Sequence, residues 1–174
     1  MQGKKISDKD VISSMSNSIY FIINKHNTLV SKIAKDKLSL RLSELVDKTH
    51  DFDYKYIESL EIDYRINAIK ELFAGLGLTS DWGSLDEAYE KMCSVVNKDI
   101  VDTVFYLIDC TVDIYVRSIV RDVANRIVQL APDILGVSLS YYPVGYSRDG
   151  KLRAFVLEIK NIELEKQVSD KSNT

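Results

Sequence analysis

The chain has 174 residues, of which 45% are hydrophobic and 28% charged, with seven Gly and two Pro. That length suits one domain with its own core, and the composition is globular rather than disordered, so no disulfide or metal staple is needed. A net charge of −3 is against a dedicated nucleic-acid binder, and no apolar run approaches the roughly 18 residues of a membrane span.

Helical spacing dominates the first 130 residues. Ser7 can cap a first helix, with acids at Asp8 and Asp10 favouring its N-terminus. Val11, Ile12, Met15, Ile19, Ile22 and Ile23 then follow at intervals of three and four, one continuous stripe. The polar run Asn24–Thr28 can break this helix, or the pattern can continue through Leu29, Val30, Ile33, Leu38, Leu42, Leu45 and Val46. Lys48–Asp53 reads as a loop. A further helix is expected over Tyr54–Ala74, with Ile57, Leu60, Tyr64, Ala68, Leu72 and Phe73 facing inward. Gly75-Leu76-Gly77 ends it, since glycine enters the left-handed region that closes helices. A fourth helix begins at Ser84, where Ser-Leu-Asp-Glu forms a capping box with Glu87.

From Asp99 to about Ala131 apolar residues cover most of the helical circumference. Such a helix is usually central, with neighbours on several sides. One narrow polar stripe interrupts it: Asp102, Tyr106, Asp109, Asp113, Arg117, Arg121 and Asn125. Pro132 is expected just beyond the helix end. After Gly136 the period changes to alternation. Val137, Leu139 and Tyr141 share one face, Ser147–Gly150 is a turn, and a return strand runs over Lys151–Asn161. Residues from about Glu165 are polar and expected to be disordered.

The expected fold is α+β, mostly α: about five helices around a long central helix, with a C-terminal β-hairpin. Residues 1–164 form a single domain and 165–174 a tail. A hairpin alone is marginal in water and has two unpaired edges. It must pack on the helices, pair with an unrecognised strand, or pair with another chain. Tyr141, Tyr142, Tyr146, Phe155 and Val156 are the candidate interface residues, because aromatic side chains anchor interfaces.

The charge is unevenly distributed: +4 over residues 1–50, −9 over 51–113 and +2 over 114–174. Several constellations invite a chemical reading. Asp102, Asp109, Asp113, Arg117 and Arg121 line one helix face and suit an ion-pair ladder or a subunit contact better than acid–base work. His50-Asp51-Phe52-Asp53 puts an imidazole beside two carboxylates, yet Asp before a helix is ordinarily a cap, so no metal site is assigned. Gly75-Leu76-Gly77 follows a helix and lacks the rest of a phosphate-loop pattern. Lys25, Lys32, Lys35, Lys37 and Arg41 are basic but ragged, with no interleaved aromatic residue. Cys93 and Cys110 have no metal-ligand spacing and fit a reducing, cytoplasmic setting.

No catalytic motif and no cofactor follow from these residues. The favoured expectation is a non-catalytic interaction protein, a small helical subunit that self-associates or joins a larger complex, with no membrane partner. The alternatives are a small-ligand sensor with an apolar pocket near Trp82, Phe105, Tyr106 and Tyr115, and an accessory subunit of a nucleoprotein complex.

Overall fold

The computed structural model describes residues 5–160. In chain order these form α1 (Asp8–Leu38), α2 (Leu42–Leu45), β1 (Thr49–Asp51), α3 (Tyr54–Gly75), α4 (Leu85–Val95), α5 (Lys98–Arg117), α6 (Ile119–Leu135), β2 (Leu139–Tyr146) and β3 (Leu152–Ile159). The fold is α+β and mostly α, with a small antiparallel sheet at the C-terminal end. The tail expected over 165–174 lies outside the described residues. Contacts gather the chain into two compact units. One takes the chain up to Asn27 together with Tyr54–Arg117; the other takes Thr28–Asp53 with the chain from Ser118 onward.

In the first unit the start of α1 is fixed as expected: the Asp10 amide donates to Ser7 Oγ at 3.3 Å. Its buried face then meets α3 through small residues. Ser14 Oγ donates to the Leu72 carbonyl at 2.8 Å, and Ser18 Oγ to the Ala68 carbonyl at 2.9 Å. Gly75 completes this close approach, because a methyl group there would collide with Ser14 Oγ. Ile57, Tyr64, Ala68, Ile69, Leu72 and Phe73 form the inward face of α3. Ser84 caps α4 by accepting from the Glu87 amide at 3.2 Å. α5 buries Val101, Val104, Ile108, Val112 and Val116, one stripe at helical spacing, and is flanked by α3 and α4.

In the second unit α6 buries Ile119, Val120, Val123, Ala124, Ile127 and Ala131 and packs on β2 and β3. Arg126 donates to Ser31 Oγ at 2.9 Å. The sheet order is β1-β3-β2, all antiparallel, so β3 is central. Its core is Leu139, Leu152, Ala154, Phe155, Val156 and Leu157. The expected turn is present: the Ser147 amide donates to the Lys151 carbonyl at 2.8 Å, and Gly150 has φ +78°.

One open alternative is decided and three local expectations are corrected. Asn24–Thr28 does not break α1, which is one helix; the run has no Gly or Pro, and His26 within it is buried against Tyr64 and Tyr115. The helical run expected from Asp99 is interrupted at Ser118, which leaves helical geometry (φ −96°, ψ 2°) and donates its hydroxyl to Asp122 at 2.9 Å. Serine offers the backbone such local alternatives to the helix ladder. Pro132 lies inside α6, which runs on to Leu135 and closes at Gly136 with φ +69°. Finally, Thr49–Asp51 is a strand within what reads as a loop, and it covers one edge of the hairpin.

Candidate interaction surface

The sheet has two unlike faces, and strand register assigns residues to each. On one face His50 lies opposite Phe155 and Tyr141 opposite Leu157. The middle of this face is buried, while Ile159, opposite Leu139, keeps 47% of its surface exposed. The His50 ring stacks on Phe155 at 5.4 Å, with Phe52 and Tyr141 also against Phe155 at 6.4 and 6.1 Å. His50 Nε2 donates to the Leu45 carbonyl at 2.7 Å, which satisfies the buried ring. Burial holds the imidazole below its ordinary pKa, with the nearby Lys37 ammonium acting the same way against the Leu45 bond. Lys37 lies over the Phe52 ring and is itself pushed down by burial.

On the opposite face Tyr142 pairs with Val156 and Tyr146 with Leu152. Leu152, Ala154 and Val156 are nearly covered, whereas Tyr142 and Tyr146 keep 43% and 56% of their surface exposed. The tyrosines are the exposed cross-strand neighbours of this apolar row. β2 is a terminal strand, and no strand among the described residues pairs with its outer edge. Its register skips between Pro143 and Gly145, leaving Val144 at a bulge with 45% of its surface exposed. Pro and bulges blunt such edges toward its end, but Leu139–Tyr142 carries neither.

The five residues named for an interface therefore divide. Phe155 is fully buried and Val156 nearly so, on a central strand that β1 and β2 pair on both sides; these two belong to the protomer's interior. Tyr141 is half-buried, and Tyr142 and Tyr146 are exposed.

The polar stripe also divides. Asp102, Asp109, Asp113 and Arg117 lie on α5 in the first unit, while Arg121 lies exposed on α6 in the second. Asp102 accepts from Tyr89 of α4, and Asp109 pairs with Arg65 of α3 at 3.2 Å, which in turn pairs with Glu61 at 3.0 Å. Partial burial raises the Asp109 pKa, against the opposing pull of Arg65. Asp113 pairs with Arg117 one turn on at 3.5 Å. These are half-exposed structural ion pairs, each tied to a neighbouring element or turn.

Other candidates are dispersed. Trp82 packs on Phe73 at 5.7 Å, Phe105 on Tyr89 at 5.6 Å and Tyr115 on His26 at 5.0 Å, while Tyr106 is exposed. A groove of about 570 Å³ at the start of α1 is lined by Lys5, Ser7, Asp10, Ser13 and Asn17 together with Ile6 and Leu76. Of the basic residues, Lys25 is paired with Asp63 at 2.9 Å and Lys37 is half-buried on Phe52. His50 points inward while Asp51 is exposed, so their chain proximity does not assemble a ligand set. Among the described residues no group of three or more His, Cys, Asp or Glu could hold a metal ion, and no helix is long and apolar enough to cross a membrane. Both cysteines are free thiols.

Comparisons with protein-family models, with curated proteins and with solved structures found no match. The functional reading therefore rests on the chain's own surfaces.

Proposed function

We propose that this is a non-catalytic assembly protein, a small helical subunit that self-associates or joins a larger complex. The observation that carries the reading is the terminal strand β2: it presents Tyr142, Val144 and Tyr146 to solvent beside an edge that no described strand pairs. Extended strands add readily to such an edge, where main-chain hydrogen bonds supply affinity and alternate side chains supply specificity. Tyrosine suits the role, since it brings a large rigid surface and a polar tip. The ionisable groups on α5 support the same reading, because they are engaged in structural pairs. Two free thiols suit a reducing, cytoplasmic setting.

Light scattering across a concentration series tests self-association. The expected result is a mass that rises toward a dimer or larger species by high micromolar concentration. Val144→Lys adds charge at the open edge without touching the core and should weaken any association made there. A chain that stays monomeric at high micromolar concentration would remove the self-associating form of the proposal.

A further inference from the structure

β1 is anchored by one buried side chain, and that side chain is a histidine. The strand pairs with β3 over three positions, Thr49–Val156, His50–Phe155 and Asp51–Ala154. Thr49 and Asp51 are exposed, so His50 alone turns inward, with 6% of its surface in contact with solvent. Upstream, α2 is fixed separately by the fully buried Leu45. Main-chain bonds close both ends of the strand: the Asp47 amide donates to the Leu157 carbonyl at 2.9 Å and the Phe52 amide to the Arg153 carbonyl at 3.0 Å. Asp47 makes its bond from φ +61°, a conformation that costs energy outside glycine. A short strand with few apolar contacts is the kind of element that opens alone while the rest of a fold stays closed.

The anchor suits the neutral ring. Stacked on Phe155 at 5.4 Å, it places Nε2 on the Leu45 carbonyl at 2.7 Å. A second ring proton would create a buried charge, which is costly without a partner. The charged groups near the ring oppose each other: the Lys37 ammonium of α1 disfavours the imidazolium and the Asp51 carboxylate of β1 favours it. α2 meets the ring with the Leu45 carbonyl and β3 with the Phe155 ring, Arg153 being the next side chain on that side of β3. Burial outweighs the Leu45 bond and holds the ring below its ordinary pKa while β1 is docked. In the lifted strand the ring returns to about 6.5. The lifted form therefore binds more protons, and docking weakens as pH falls from about 6.5 toward the docked value.

We propose that β1 is an acid-released strap: protonation of His50 lifts the segment from Asp47 to Phe52 off β3 while the β2–β3 hairpin stays paired. Release bares the second edge of β3, at Ala154–Val156, and uncovers the ring of Phe155. The device goes beyond the assembly reading and does not depend on it, since that reading rests on the outer edge of β2.

Residue-resolved hydrogen exchange on the full chain, from about pH 7.5 to about pH 5, tests it across the range in which histidine titrates. Protection of the Asp47 and Phe52 amides should be lost as pH falls, whereas the amides that pair β2 with β3 should keep theirs. The loss should follow the titration of the His50 ring signals, which need separating only from those of His26, the other histidine. His50→Gln keeps a donor for Leu45 and takes up no proton in this range, so strap protection in that variant should not vary with pH. Should glutamine fail to dock the strap at any pH, the unmodified chain decides: strap opening that follows the His50 ring upholds the proposal, and opening that does not follow it overturns it. Strap and hairpin amides that lose protection together, or strap protection that is unchanged through the ring titration, also overturn it.

Discussion

The α1–α3 crossing and the three-stranded sheet bury backbone in opposite ways. At the crossing the contact residues are Ser14, Ser18 and Gly75, small enough for two helices to approach, and both hydroxyls are donated to carbonyls of α3. The sheet instead buries Phe155, Leu157, Leu139 and His50 on one face, and on the other leaves Tyr142 and Tyr146 exposed beside a free strand edge. Buried polar groups are costly unless satisfied, so a protomer closes them internally. Exposed apolar surface can persist until a second molecule covers it. The contrast locates the unfinished part of this protein at its apolar surfaces.

The sharpest way to break that contrast is a pair of truncations on the two sheet faces. Phe155 has no exposed surface and contacts three rings, so Phe155→Ala should cost about 3–5 kcal/mol in urea unfolding, through lost burial plus a cavity. Tyr142→Ala, measured at low protein concentration, should cost less than about 1 kcal/mol. Equal losses would mean that the exposed tyrosines are as structural as the buried residues of the other face.

A smaller effect sharpens the other half of the comparison. In Gly75→Ala the new methyl group displaces the Ser14 hydroxyl, which then loses its bond to the Leu72 carbonyl. Loss of a buried hydrogen bond costs about 1–2 kcal/mol, and alanine's better helix propensity returns up to about 1 kcal/mol of it. A net destabilisation near 1 kcal/mol is expected. Ser14→Ala removes the colliding oxygen, so the double variant should be less destabilised than the sum of the two single changes. Additive losses would show that the crossing is looser than these contacts indicate.

Much of this arrangement is legible in the sequence, and the rest fails for identifiable reasons. The inward residues of α3 and the cap at Ser84 follow from spacing and hydroxyl chemistry, both local. The hairpin follows from alternation, including the opposition of Phe155 and Val156 faces. β1 is hidden because three residues cannot display a period, and Thr49-His50-Asp51 has no apolar member to mark its buried side. The inward residue is a histidine, acceptable there only because Leu45 supplies a carbonyl from elsewhere in the fold. Missing β1 makes Phe155 and Val156 look like surface residues. The acceptors of Ser14 and Ser18 are likewise non-local: they lie on α3, fifty or more residues away. The division of the polar stripe at Ser118 is equally non-local, since nothing in the local period separates Arg117 from Arg121.

The smallest expected effect concerns that histidine and is read from pH. Burial above all disfavours the imidazolium of His50 in the folded chain, partly offset by the Leu45 carbonyl, while the smaller effects of the Lys37 and Asp51 charges oppose each other. In the unfolded chain the ring titrates near its ordinary value of about 6.5. Between the lowered folded value and the unfolded one, the unfolded state binds more protons. Stability therefore increases with pH across that window. The contribution is fully present above about pH 6.5 and is lost as pH falls through 6.5 toward the folded value. His50→Gln keeps a donor for Leu45 and removes the titration. The stability difference between the two proteins should be steady above neutrality and should shrink between pH 7 and the acid range where carboxylates take over. A difference that stays constant across that window would place the His50 ring in water, and with it would go the claim that the middle of this sheet face is buried.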